Sequence, residues 1–392
     1  MAATEGSDTD APLKFKAGQK FGKWKIIQKL DEGGFGQVYK VESVRTPGVF
    51  AALKAESNEI EGGSAIKLEI SVLMLLNRNG SKPHIPEVYH SAKRKRYCYM
   101  IVTLLGDNLR SLRMGCANEH VKPQSWARLG IQCLYSIKLL HDVGFVHRDI
   151  KPANFVMGHD SDVDRARIVH ILDFGLARAY GFLKAGRWVA RRARGTAEFR
   201  GTARYCSPSV HERKEQGRKD DIWSLLYMLI ELHCGLPWQK ERDKYKLEVK
   251  KLNISDADLL KNFPSEMHPI VPHLRELNYY NRPDYTMIHE CFLRLMRRLQ
   301  VTYNQPYDWE TEEQVANMIK KRTKVPEYES AAAVTFFASD PIKINSAPSR
   351  DATGEIGGTT VDDNKELISK TVSAMHVETH SRGRSNKASS KT

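Results

Sequence analysis

A chain of 392 residues can hold two or three domains of ordinary size, or one large two-lobed domain with tails. With 41% hydrophobic, 28% charged and 9% aromatic residues it has a globular composition. Its longest apolar stretch, Trp223–Leu232, is short and carries Glu231, which excludes a membrane helix. The formal charge of +14 calls for an anionic partner, with nucleic acid, acidic lipid, acidic protein and nucleotide phosphate all admissible.

Met1–Leu13 has neither a basic n-region nor an apolar h-region, so no secretory signal is expected and the default compartment is intracellular. The cysteines (Cys98, Cys116, Cys133, Cys206, Cys234, Cys291) form no C-x-x-C pair and no regular spacing, which argues against a zinc module and a disulfide framework and for buried thiols.

In chain order, residues 1–20 read as a flexible N-terminus. From Phe21 to Leu105 short β-branched or aromatic runs (Trp24–Gln28, Gln37–Val41, Val49–Leu53, Tyr97–Leu104) alternate with Gly, Pro and Asn, predicting a small β-rich lobe. One helix interrupts it from Ser64, its N-cap, to Asn77, with Ile66, Ile70, Leu73 and Leu76 near helical spacing. From Gln124 the pattern turns helical, and Asp221–His233 is apolar nearly all round, predicting a buried central helix in a larger lobe over 106–310. Residues 311–330 read as an extension. Residues 331–392, without tryptophan and about a quarter Ser and Thr, read as a disordered tail that adds only +1 of the charge.

Four motifs in one order carry chemistry. Glu32-Gly33-Gly34-Phe35-Gly36-Gln37-Val38 lies between two strand candidates, where glycines let backbone N–H groups approach phosphate oxygens; alone, such a cluster is usually only a hairpin turn. Ala51-Ala52-Leu53-Lys54 ends a strand with an ammonium that can pair phosphate charge if a carboxylate, Glu69 on the helix, holds it. Taken singly, both are ordinary surface charges. His147-Arg148-Asp149-Ile150-Lys151-Pro152-Ala153-Asn154-Phe155 sets a carboxylate able to accept a proton five residues before an amide oxygen able to bind a divalent cation. Leu172-Asp173-Phe174-Gly175 follows with a second hard oxygen ligand.

Together these motifs resemble a protein kinase over Phe21–Glu310, including Asp221-Ile222-Trp223-Ser224 at the start of the central helix. The resemblance implies a bilobal α+β fold and transfer of the ATP γ-phosphate to Ser or Thr of proteins. It implies that Lys54 contacts the α- and β-phosphates and pairs with Glu69, that Asp149 is the catalytic base braced by Thr202, and that Lys151 sits by the γ-phosphate. Asn154 and Asp173 would hold Mg²⁺. It further implies an adenine pocket of Leu30, Val38, Ala52, Val102, Val156 and Leu172, hinge backbone at Thr103 and Leu105, and phosphate contacts from Gly33, Gly34, Phe35 and Gly36. Lys151, two residues after Asp149, is the serine/threonine form.

Phe199-Arg200-Gly201-Thr202-Ala203-Arg204-Tyr205, Gly217–Leu225, Leu236-Pro237-Trp238, Arg282-Pro283-Asp284-Tyr285 and Tyr307-Asp308-Trp309-Glu310 resemble the casein kinase 1 superfamily, and its tau-tubulin kinase branch most closely. Ser207-Pro208-Ser209 stands where most kinases have Ala-Pro-Glu, as in that superfamily. One departure is Asp31, at the place of the first loop glycine; facing phosphate it would cost about 1 kcal/mol.

Between Arg178 and Arg204 lie eight basic residues (Arg178, Lys184, Arg187, Arg191, Arg192, Arg194, Arg200, Arg204) and one acid, Glu198. A charge run is usually only solvated. This one, though, is the activation loop by resemblance, and guanidinium groups bind carboxylate and phosphate bidentately. The resemblance implies an anion pocket at Arg148 and Arg178 that substitutes for loop phosphorylation, and a site at Arg204 favouring substrates acidic or phosphorylated upstream. The expected partner is therefore an acidic or phosphorylated protein, the substrate of a monomeric enzyme in the cytoplasm or the nucleus, with no membrane and with nucleic acid demoted. Thr196 is a candidate autophosphorylation site. Lys320-Lys321-Arg322-Thr323-Lys324 is a solvated run, or a nuclear-import or phosphate-contacting patch. The competing reading is a catalytically silent scaffold, which would have been free to lose Lys54, Asp149 or Asp173.

Overall fold

The structure, a computed structural model of the chain, describes residues 13–33, 36–59 and 65–348. The chain divides into two compact units, residues 1–70 with 87–104, and 71–86 with 105–392. The fold is α+β, as the sequence predicts.

The first unit is built on an antiparallel sheet of β1 (Lys20–Phe21), β2 (Trp24–Gly33), β3 (Gly36–Ser43), β4 (Phe50–Ser57), β5 (Val88–Lys93) and β6 (Tyr97–Thr103), ordered β1-β2-β3-β4-β6-β5. Period-two alternation gives the sheet two distinct faces. On one, Tyr39, Val41, Leu53, Ala55, Tyr99 and Ile101 join Phe21 and Trp24 in a buried aromatic-rich cluster. On the other, the registers Val38↔Lys54 and Ala52↔Val102 gather the pocket-type residues.

The N-terminal segment departs from expectation. Phe15 packs edge-on against Phe21, Tyr39 and Tyr97 at 5.0 to 5.6 Å, and Gly18 donates to the Ile26 carbonyl at 2.8 Å. Phe15 is therefore part of the sheet's cover, because one face of a sheet needs aromatic area to bury, while residues 1–12 of the expected flexible terminus lie outside the described residues. Strand β5 was hidden in the sequence by His90 and Ser91, which interrupt its alternation.

Helix α1 runs over Ile66–Leu76, so its expected N-cap, Ser64, lies outside the described residues. The second unit holds a small sheet of β7 (Leu105–Asn108), β9 (Phe155–Gly158) and β10 (Val169–Ile171) and two paired strands, β8 (Phe145–Val146) and β11 (Arg178–Ala179). A hairpin of β12 (Gly181–Lys184) and β13 (Arg187–Ala190) follows. Around them stand α2 (Leu109–Gly115), α3 (Pro123–His141), α4 (Pro208–His211), α5 (Arg218–His233), α6 (Lys244–Asn253), α7 (Asp256–Leu260), α8 (Ile270–Glu276), α9 (Tyr285–Arg298), α10 (Glu312–Lys321) and α11 (Ala332–Ala338). The expected central helix is α5, buried from Arg218 to Leu232. Helix α3 is tied to it by Trp126, whose indole donates to the Leu229 carbonyl at 2.8 Å, and to β10 by Gln132, which accepts the Val169 N–H at 2.8 Å.

Residues 331–348, expected in a disordered tail, are instead a strap on the second unit. Phe336 stacks on Tyr135 at 3.9 Å and Phe337 lies on His289 at 4.4 Å. Arg282 donates to the Phe337 and Ser339 carbonyls at 2.9 and 2.8 Å. Ile342 and Ile344 then enter a buried cluster with Val146, Tyr180 and Ala190. The Ser/Thr content concealed four apolar anchors, Phe336, Phe337, Ile342 and Ile344, whose burial outweighs the polar residues between them. The remainder of the expected tail, 349–392, lies outside the described residues.

The basic run near 320 is also more structural than its sequence suggests. Arg322 makes a bidentate pair with Glu329 at 3.0 Å on both arms, and Thr323 is held by Asp164 through its N–H and hydroxyl at 2.6 Å each. All six cysteines are unpaired thiols, four of them buried. Among the described residues no helix is long and apolar enough to cross a membrane.

Candidate active site

In the first unit, alternation along β4 places Leu53 and Ala55 in the core and turns Lys54 to the opposite face. Its Nζ donates to Glu69 Oε2 at 2.6 Å and stands 3.8 Å from Glu56 Oε1. Glu56, only 1% exposed, was missed by sequence reasoning. Its other oxygen accepts the N–H of Ile66 at 2.9 Å, so it caps α1, the helix that carries Glu69. The only sequence signal was an acid at the end of a strand that leads into a helix.

Val38, Ala52 and Val102 share the face of Lys54, with Val102 buried. Thr103 is tied back to Glu87 through N–H and hydroxyl at 3.1 and 2.9 Å. Leu30 is 44% exposed. Gly33 and Gly36 face each other across the β2–β3 pair, while Gly34 and Phe35 lie outside the described residues. Gly36 has a second reason to be glycine: a Cβ there would stand 2.4 Å from the Ala55 carbonyl oxygen. Asp31 is exposed, and its carboxylate turns back to accept the N–H of Glu32 at 2.8 Å.

In the second unit the motif at 147–154 is held by α5. Buried Asp221 accepts the N–H groups of His147 and Arg148 at 2.6 and 2.9 Å and the His141 ring at 2.9 Å. Burial alone would raise its pKa, but these donors hold it below the ordinary carboxylate value. They also fix Arg148 at φ 69, a left-handed backbone that an L-residue adopts at a cost of about 1 to 2 kcal/mol. His147 accepts the Asp149 N–H on Nδ1 at 3.2 Å, so its Nε2 carries the proton donated to the Leu172 carbonyl at 2.9 Å.

The result is a carboxylate held from two sides. Asp149 Oδ1 accepts from Thr202 at 2.7 Å and Oδ2 from Lys151 at 2.6 Å, and its carbonyl accepts from Asn154 Nδ2 at 2.8 Å. Thr202 can reach because Gly201 precedes it at φ 105, where a Cβ would stand 2.4 Å from the Arg148 carbonyl oxygen. Since its amide nitrogen faces Asp149, Asn154 offers its oxygen on the other side. The antiparallel pair Phe155↔Ile171 places Asn154 beside Leu172, whose N–H bonds the Asn154 carbonyl at 2.9 Å. Asp173 follows at φ 65, ahead of buried Phe174. Of the other pocket residues, Val156 is buried and Leu105 and Leu172 are half-buried.

Two oxygen ligands, one amide and one carboxylate, suit a hard cation that keeps water and takes its remaining ligands from phosphate. No cluster of three or more His, Cys, Asp or Glu able to form an all-protein cage exists among the described residues. The donor set therefore fits Mg²⁺ carried with a nucleotide.

Four of the eight basic residues in the run, Arg178, Arg194, Arg200 and Arg204, pair with the protein's own acids. Glu215 receives both arms of Arg194, one at 3.1 Å, and lies 3.4 Å from Arg178 Nε. Burial would raise Glu215, but Arg194 and Arg178 keep it below the usual range. Arg148 bonds the Leu176 carbonyl at 2.7 Å, and burial with Arg178 nearby lowers it to about 9. One nitrogen of buried Arg178 has no hydrogen-bond partner. Arg200 pairs with Glu198 at 2.7 Å. Arg204 is bonded to Glu231 at 2.8 Å and to the Gln239 carbonyl at 3.1 Å, so it is not the unoccupied substrate ligand that the sequence suggested.

The family description "Protein kinase domain" matches residues 24–293. An inactive tau-tubulin kinase of Caenorhabditis elegans is 42% identical over 72% of this chain and 97% of its own length. A putative serine/threonine-protein kinase of the same organism is 40% identical over 74% and 82%. A probable serine/threonine-protein kinase of Dictyostelium discoideum is 34% identical over 76% and 59%.

Proposed function

Because this chain belongs to the protein kinase domain family and is a serine/threonine kinase, we propose that it is an active, tau-tubulin-kinase-like enzyme of the casein kinase 1 type that needs no activation-loop phosphorylation. The observation that carries the reading is Asp149, with one oxygen on Thr202 and the other on Lys151. Those contacts aim the carboxylate at an incoming hydroxyl whose proton it accepts, while Lys151 brings positive charge to the transferring phosphoryl group. Lys54, fixed by Glu69, pairs with the nucleotide phosphates. Asn154 and Asp173 would hold Mg²⁺, which when bound neutralises phosphate charge.

Glu215 supports independence from loop phosphorylation. An acid built into the chain lies among Arg178 and Arg194, with Arg148 close by, and serves there as an internal anion. A preference for acidic or pre-phosphorylated substrates rests on Arg187 and Arg192, which are exposed and have no ion pair among the described residues, together with Arg204 once it exchanges Glu231 for substrate.

The test uses bacterially made, phosphatase-treated full chain with radiolabelled ATP and an acidic protein, and Asp149→Asn as control. Label transfer by the first alone is expected. Equal transfer by both means a contaminant, and none from either means a scaffold like the relative named inactive. Matched peptides with Ser, Asp or phosphoserine three residues before the target read the preference, and equal rates on all three remove it.

A further inference from the structure

Beneath the segment that carries Thr202 lies a buried ammonium with no carboxylate in ion-pair contact among the described residues. Lys251, on α6, is 2% exposed, and its Nζ donates to the carbonyls of Ala203 and Cys206 at 2.7 and 2.5 Å. The charge is otherwise met by the faces of Tyr227 and Trp238, 5.0 and 5.4 Å from the ring centres. Four of the five carbonyls from Thr202 to Cys206 have a partner. That of Thr202 takes the N–H groups of Tyr205 and Cys206, that of Arg204 takes the Trp238 indole at 2.9 Å, and Lys251 takes the other two. A buried lysine without a counter-ion is costly, and two converging carbonyls, the Cys206 sulfur and two aromatic faces are what offset that cost here.

We propose that Lys251 is a positioning residue of phosphoryl transfer, clamping the Thr202–Cys206 segment so that Thr202 keeps its hydrogen bond to Asp149. The proposal rests on the reading of Asp149 as the base. Burial pushes the Lys251 pKa down to about 8. Its charged form is therefore complete below that value and lost as pH rises through it. The groups facing it are Cys206, whose sulfur lies 3.6 Å away, and His211, 3.3 Å from that sulfur and paired with Glu248 of α6. Asp220 lies behind Ser207, and Glu231 behind Tyr205.

Three readouts on the full chain test it. In Lys251→Met, kcat for a peptide substrate should fall about 10- to 100-fold with nucleotide affinity unchanged. Thr202→Val should lose a similar factor, and the double variant should be no worse than either single one. The wild type should lose kcat above about pH 8, a limb absent from both single variants. Unchanged peptide kcat in folded Lys251→Met, additive losses in the double variant, or a wild-type profile flat beyond pH 9 overturns the proposal. If Lys251→Met does not fold, the Thr202→Val profile decides, since the limb disappears there only if Lys251 acts through Thr202. If wild type and Asp149→Asn are equally silent, the failure lies with Asp149 as base and not with the clamp.

Discussion

Two charge clusters in this molecule are built with opposite stoichiometry. At Lys54 one ammonium meets two carboxylates, Glu69 at 2.6 Å and Glu56 at 3.8 Å. At Glu215 one carboxylate meets two guanidinium groups, Arg178 and Arg194, with Arg148 lowering its pKa further. In each, the minority ion is fixed in place by the majority. The first cluster holds a lysine between two carboxylates, in the position the proposed mechanism gives to the phosphate contact. The second already contains its anion and keeps positive charge in reserve.

That contrast can be broken at either minority ion. Lys54→Met should lower kcat/KM for ATP about 100-fold or more with little change in melting temperature, since phosphate charge loses its partner in the transition state. A melting shift as large as the activity loss would instead make Lys54 structural. Glu215→Gln should cost about 3 kcal/mol, because crowded, buried cations are left without their carboxylate. Added sulfate or phosphate should restore part of that stability in the variant and much less in the wild type; denaturant midpoints with and without the anion measure it.

Acid should act on the second unit in a different way. His84 bonds the Val169 carbonyl at 2.7 Å and His170 the Ile168 carbonyl at 2.9 Å, and burial lowers them to about 4 and about 3. In the unfolded chain both take up protons near pH 6.5, so the stability they lend is complete above that pH and falls as pH drops toward 4. Loss of amide protection around β10, just before Leu172 and Asp173, should accompany the fall. Protection unchanged at pH 4.5 would contradict this. The smallest effect is expected at Asp31→Gly: the carboxylate is exposed and bonded to the Glu32 N–H, so nucleotide affinity should change less than about threefold.

The sequence showed the residues of the site more readily than their supports. Lys54, Glu69, Asp149, Asn154 and Asp173 sit in short linear motifs, and each can be recognised from its neighbours in the chain. Glu56, Lys251 and Glu215 become visible only in three dimensions, because their partners lie 10, 45 and 21 residues away. Strand periodicity found β2, β3, β4 and β6, where one face is strongly apolar, and missed β5, where polar residues break the alternation. Composition misjudged 331–348, since four apolar side chains with good seats outweigh a polar average.

The strap formed by those residues bears on how this protein can be handled as a fragment. The family match ends at residue 293, yet a chain cut there would lose the residues that cover Tyr135, His289, Val146 and Tyr180. Such a fragment would present fresh apolar surface next to the β12–β13 hairpin and would tend to associate with itself. A cut placed after Asn345, where the side chain accepts the Arg282 N–H at 3.0 Å, leaves that surface covered.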